Sequence, residues 1–313
     1  MVESKHKWKA WLYLSPALIL LLIFTVWPII NTVYMAFSEG YSSSKLLGGG
    51  VFPFGFRNFT HVFESVGVNG FDFVQALGNT ALLCVITVPV STILALVIAV
   101  CLNSIKFLNK FLQTIFFLPY VTNSIAIGMV FAAMFQIIGT SNQVVSTGLI
   151  NNFLGVFGIA PIDWLGSTSA DYWPNIIVTS IYIIWNALPF KILVLLGGLQ
   201  SVNKQYYEAA RVDSTSKFRV FRKITVPLLS PMISYVVITS FIGGFKEYSS
   251  IVGLFGEDMN GGRLNTMVGY IYTNILGSVK QEGYASAAAI ILFGIIFVVT
   301  MINLYVSKKK THY

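Results

Sequence analysis

Charge is what this chain has least of. Asp, Glu, Lys and Arg make up 10% of its 313 residues, where a soluble domain carries roughly 25%. A globule of this size with so little charge would not stay in solution. With 55% apolar residues, the chain reads as a protein of several membrane spans. Histidine is also scarce: His6, His61 and His312 lie outside the apolar runs, and no two have a local spacing that holds a metal. The two cysteines, Cys84 and Cys101, share one run. At 1.5 Å per helical residue they stand about 25 Å apart, too far to bridge. The motifs G-x-x-x-x-G-K-[ST], H-E-x-x-H and G-x-S-x-G are all missing. Their absence excludes P-loop ATP hydrolysis on this chain and disfavours a membrane-embedded enzyme, which would need a nucleophile beside a base.

What the chain does have is long apolar runs. Six are of spanning length, near 11–37, 76–102, 111–138, 175–199, 229–254 and 285–306. The short alternating segments of barrel strands do not occur. The expected fold is all-α, a single polytopic domain over 1–313 with six transmembrane helices. Placing the N-terminus inside puts fourteen Lys and Arg on the inner side, including Lys5, Lys106, Arg211 and Lys308. Only Lys45, Arg57, Arg263 and Lys280 then fall outside. That asymmetry orients both termini to the cytoplasm. The net charge of +8 is thus a topology signal and not the basic face of a nucleic-acid binder. The first run is too long for a signal-peptide core and reads as a retained span. Pro28, Pro89, Pro119 and Pro189 fall in or near spans, where membrane helices tolerate them. No internal repeat is evident, which weakens an inverted-repeat transporter. Asn58-Phe59-Thr60 matches a glycosylation sequon, a pattern common by chance.

The polar loop between the fourth and fifth runs, YYEAARVDSTSKFRVFRKITVPLLSP (206–231), is basic and internal. Tyr206, Ala209 and Ala210 share one face of a short helix, small enough to seat closely on a partner. Asp213–Ser216 breaks the helix and offers caps, and Phe218 and Phe221 share a face of a second short helix among Arg219, Arg222 and Lys223. Pro227 and Pro231 end it. Exposed aromatics rimmed by charge fit a protein interface, a lipid-surface helix pair or a basic topology anchor.

The pattern resembles the E-A-A signature of membrane subunits of ABC importers. From Glu208-Ala209-Ala210 the spacing is kept through Ser214, where the family has glycine, Ile224, and Val226, where it has leucine, to Pro227. Serine disfavours positive φ, so Ser214 reads as a cap for the second helix in place of a left-handed turn. The rest of the chain is similar to permeases of the carbohydrate uptake type, the maltose and glycerol-phosphate systems. The matching stretches are Leu14–Ala17 through Trp27-Pro28, Asn79-Thr80, Val88-Pro89, Phe116–Tyr120 leading to Ile127-Gly128, Gly198–Gln200, and Gly283–Ala287 before Leu292-Phe293. The resemblance implies a six-helix importer permease working by alternating access. Its implied partners are a second permease subunit, a dimer of ABC ATPases and an extracytoplasmic solute-binding protein. It implies no cofactor on this chain, ATP being bound by the ATPases. Glu208, Ala209, Ala210, Asp213, Ser214, Phe218, Ile224 and Pro227 would couple to the ATPase, so that Glu208→Lys or Ala210→Arg would uncouple transport in an inserted protein.

A solute path needs polar groups at membrane depth. The candidates are Lys246, Glu247 and Tyr248 on the fifth run, Trp185 and Asn186 on the fourth, and Asn123 on the third. Snorkelling to the outer interface competes for Lys246 and Glu247, and is the expected fate of Lys191. Packing competes for Trp185 and Asn123. An uncharged polar pocket would suit a sugar, whereas an anionic solute would want Lys or Arg. The leading reading is a sugar or oligosaccharide importer subunit. Alternatives are the same machine carrying glycerol phosphate or another polar solute, and a stand-alone secondary transporter.

Overall fold

The computed structural model describes residues 7–64, 72–105, 109–140, 143–166, 171–277 and 279–310. Lys5, His6, Lys106 and His312 lie outside them. The described residues fall into two compact units: one holds the residues up to Asn69 with Tyr270–Ile291, the other Gly70–Gly269 with Leu292–Tyr313.

The first unit opens with α1 (Trp8–Phe37), long and apolar enough to cross a bilayer. It is not a plain α-helix. Leu22–Val26 form a π turn closed by the Trp27 N–H to the Leu22 carbonyl, and Pro28 follows at once. Proline in an α-helix drives its ring into the carbonyl four residues back, and the wider turn takes that carbonyl out of the way. After α1 come the short helices α2 (Ser43–Leu47) and α3 (Arg57–Glu64). Asn58 pins this segment: its Nδ2 donates to the carbonyls of Ala36 at 2.9 Å and Ser38 at 2.8 Å, and its Oδ1 accepts from the Gly40 N–H at 3.0 Å. These bonds satisfy orphan groups at the end of α1. The residue is fully buried, so the sequon match at Asn58 does not present an amide to a glycan.

The second unit contains α4 (Phe73–Ser104), α5 (Asn109–Val121) and α6 (Ser124–Phe135), then a hairpin of β1 (Ile137–Thr140) and β2 (Gln143–Thr147). It continues with α7 (Leu149–Val156), α8 (Tyr172–Ser201), α9 (Gln205–Val212), α10 (Lys217–Leu228), α11 (Ser230–Phe245) and α12 (Ser249–Phe255). The last two helices, α13 (Met267–Leu276) and α14 (Glu282–Lys310), each have residues in both units. Among the described residues the strands are those of that hairpin, and an isolated bridge pairs Ser38 with Phe54.

Four helices, α1, α4, α8 and α14, are candidate spans without a break. The other two expected spans are broken. The third bends by 99° between α5 and α6. There Asn123 stops one helix and caps the next, its Oδ1 accepting from the N–H of Ile125 at 2.9 Å and of Ala126 at 3.3 Å. The fifth starts at a 69° bend, where the loop helix α10 gives way to α11. It also ends at Phe245, short of the 254 expected from hydropathy, and α12 starts after Lys246–Tyr248. Where α6 meets α12, Gly128 and Gly253 bring two backbones together. A Cβ on Gly128 would lie 2.7 Å from the Gly253 Cα.

Candidate functional site

One face of α4 tells where the site lies. Leu83, Thr87, Ser91, Ala95 and Ala99 recur at intervals of four and so line one side of the helix. Leu83 belongs to an apolar cluster with Ile176, Ile183, Ile251 and Val252. Ala95 and Ala99 belong to another with Ile192, Leu195, Leu199, Leu229 and Val236. Thr87 and Ser91 fall in the gap between them. The same interval on α8 runs from Ile183 to Ile192 and holds Asn186, Ala187, Phe190 and Lys191.

Between the clusters is a cavity of about 390 Å³ walled by α4, α5, α8 and α11. Its polar groups are Thr87, Ser91, Tyr120, Asn186, Lys191, Thr239, Ser240 and Glu247. Tyr120 and Phe190 stack with their centroids 6.2 Å apart, giving one wall an aromatic face. On the α11 wall Gly243 faces open space, whereas Gly244 lets the helix pack on Cys84 of α4, whose Sγ a Cβ would meet at 2.7 Å.

Lys191 is the residue that sequence position misjudged. It does not snorkel: it is 4% exposed, with Nζ donating to Ser91 Oγ at 2.6 Å and Thr92 Oγ1 at 3.3 Å. Each hydroxyl spends its own proton on the helix backbone, Ser91 on the Thr87 carbonyl and Thr92 on that of Val88, which leaves lone pairs for the ammonium. Asn186 also lines the cavity and donates to Ser124 Oγ at 3.1 Å. Glu247 lines it too, with Oε1 accepting from the N–H groups of Tyr248 at 3.1 Å and Ser250 at 3.0 Å.

The remaining candidates lie off the cavity wall. Trp185 packs in a ring cluster, 5.1 Å from Phe131 and 6.4 Å from Tyr182. Asn123 is an exposed helix cap. Lys246 is exposed at the end of α11, and Tyr248 precedes α12 against the apolar cluster of Leu83. The hydroxyls of Thr87, Ser91, Thr239 and Ser240 were not singled out from sequence. The four-residue stripe on α4 was the available signal.

The polar loop folds as two short helices. On α9, Glu208, Ala209 and Tyr206 are exposed, whereas Ala210 is 5% exposed and packs within the chain. Asp213 ends the helix with its N–H on the Ala209 carbonyl at 3.0 Å. Ser214 takes φ +51°, the left-handed turn its side chain disfavours. Its N–H reaches the Arg211 carbonyl at 3.1 Å, and the Thr215 N–H that of Ala210 at 3.0 Å. The glycine-type turn is therefore made without glycine, and Ser216, not Ser214, precedes α10. Ser214→Gly should stabilise the fold by about 1 kcal/mol, read as a higher thermal midpoint of the purified protein. An unchanged or lower midpoint would argue against strain at this turn.

On α10, Phe218 is 73% exposed and Ile224 half-buried. Phe221–Thr225 is a second π turn, closed by the Val226 N–H to the Phe221 carbonyl, with Pro227 directly after. The two helices meet where Tyr207 Oη lies 3.4 Å from Thr225 Oγ1.

Comparison with known proteins assigns the family. Residues 68–312 match the family described as binding-protein-dependent transport system inner membrane component, and the chain belongs to it. It is 31% identical over 95% of its length, and 88% of the relative's, to the arabinooligosaccharides transport system permease protein AraP of Bacillus subtilis. It is 27% identical over 96% of its length, and 94% of the relative's, to the lactose transport system permease protein LacF of Rhizobium radiobacter. In fold it matches a chain of a crystallised bacterial ABC transporter involved in the import of the acidic polysaccharide alginate, with a TM-score of 0.77, 24% identity and 98% of both chains covered.

Proposed function

We propose that this chain, as a member of that inner-membrane family, is the permease subunit of an ATP-driven importer for a sugar or oligosaccharide. An extracytoplasmic binding protein delivers the solute, and the cavity between α4, α5, α8 and α11 passes it inward by alternating access. Both termini face the cytoplasm. A second permease subunit completes the path, and two ATPases bind ATP outside this chain.

The observation that carries the reading is the composition of the cavity wall. Hydroxyls, an amide, an ammonium and a carboxylate alternate with an aromatic pair. Sugar hydroxyls both donate and accept, and sugar ring faces pack on aromatic ones, so this wall suits a saccharide. The relatives named for arabinooligosaccharides and lactose support the same class. The exposed side of the loop, with Tyr206, Glu208, Ala209 and Phe218, supplies a surface on which an ATPase docks.

The test is a mild-detergent pull-down of the tagged chain from its native host, followed by reconstitution of what is recovered in proteoliposomes. Recovery of a second permease, an ATPase and a binding protein is expected, with sugar uptake that needs both ATP and the binding protein. Uptake by the chain alone, independent of ATP, would overturn the proposal in favour of a stand-alone transporter.

A further inference from the structure

The charges of the cavity are not balanced by one another. Glu247 has one carboxylate oxygen committed to two backbone N–H groups. Lys191 is held by two neutral hydroxyls only. Among the described residues no carboxylate lies within ion-pair distance of its Nζ. A buried ammonium is normally paired, because two hydroxyls replace its hydration without neutralising its charge. An ammonium has three protons, and two are used. Lys191 forms part of the cavity wall, so the missing counter-charge has room to arrive there with a solute.

We propose that the saccharide carried through this cavity bears an anionic substituent, a carboxylate on a sugar ring, and that Lys191 selects it. The inference rests on the cavity being the solute path. Glu247 stands on another wall and accepts from hydroxyls of the same solute, so the two side chains fix which end of the sugar faces which wall. Tyr120 and Phe190 carry the ring faces. An anion paired with a buried ammonium forms a charge-assisted bond that a neutral hydroxyl does not match.

The test uses right-side-out membrane vesicles holding the complete importer with its binding protein. The probes are uronate disaccharides derived from pectin, alginate and glucuronoxylan, each beside its neutral methyl ester. Charge is then the main difference within a pair. Wild-type protein is expected to take up at least one acid about tenfold or more faster than its ester. Lys191→Met and Lys191→Gln should lower that acid-to-ester ratio by about tenfold or more, and Lys191→Arg should retain it. The ratio is taken within one preparation, so a smaller amount of inserted protein cancels. The binding protein is common to all samples, so a changed ratio reports on the permease. Uptake of neutral saccharides with no preference for any acid, or a ratio unchanged in Lys191→Met, would overturn the inference and leave the importer reading standing. Failure to take up any saccharide with all partners present would overturn both.

Discussion

Replacing Glu208 by lysine is expected to leave the chain inserted at its normal level and to cut solute uptake by about a hundredfold. Glu208 is exposed on α9, and the chain's own hydrogen bond at this position comes from its backbone, to the Lys204 carbonyl at 3.1 Å. Charge reversal there costs the permease little by itself, as surface substitutions generally do. Its cost falls on whatever docks against α9. Reversing a charge that is paired and desolvated at an interface typically costs about 2–5 kcal/mol, enough to break productive docking. Ala209→Arg is the steric counterpart and should give the same phenotype. Ala210→Arg is a poorer probe than the sequence implied. With 5% exposure it would force a guanidinium into the chain's own packing, and lost uptake would then report damage to the fold. The measurement is uptake normalised to membrane-inserted protein, with ATPase recovery scored in parallel. Normal uptake by Glu208→Lys and Ala209→Arg together would remove the coupling role from this loop.

Gly128→Val is expected to have a large effect on the fold itself. The Cβ it introduces would meet the Gly253 Cα at 2.7 Å and its carbonyl carbon at 2.9 Å, both backbone atoms. No side-chain rotation relieves that contact, so α6 and α12 must part. Overpacking of a well-filled site costs about 1–3 kcal/mol, and a clash with backbone falls at or above the top of that range. The separated helices would also loosen Ser124, whose hydroxyl lies 3.1 Å from Tyr182 Oη and accepts from Asn186. Gly197 on α8 is the control: a Cβ there meets nothing within 4 Å, and Gly197→Ala should be neutral or mildly stabilising. Detergent-solubilised protein, followed by size exclusion and thermal unfolding, separates the two. A monodisperse Gly128→Val protein with the wild-type midpoint would mean that the close approach is not required.

The spans were legible because hydropathy is a local property, and the six runs correspond to four unbroken candidate spans and two that are bent or broken. The breaks were not legible from it. The third span stops at Asn123, where a single amide caps the next helix, and the fifth stops at Phe245, the Lys246-Glu247-Tyr248 that follows having been read as part of the span. Lys191 marks the other limit. Its distance along the chain from the cytoplasmic loop argued for snorkelling. What decides its fate is Ser91 and Thr92, a hundred residues away in sequence, and that pairing exists only after α4 and α8 pack. The polar loop was read well at the level of two helices and a break. Its turn was read wrongly at Ser214, because a serine can be held at positive φ by backbone bonds on either side. Asn186 and Glu247 reached the cavity wall, whereas Trp185, Asn123, Lys246 and Tyr248 found places in packing, capping or at exposed ends.

The two π turns share a grammar, since each closes one residue before a proline, at Pro28 and at Pro227. A π turn takes up one residue more than the α turn it replaces without rotating the apolar faces on either side. In genetic terms it is a place where a codon can be gained or lost cheaply. Elsewhere in a span, the same event turns everything downstream by about 100° and moves lipid-facing side chains into the core. Comparison of this chain with its relatives should therefore find single-residue length differences within the helices concentrated at 22–26 and 221–225, beside the prolines that made the extra residue useful.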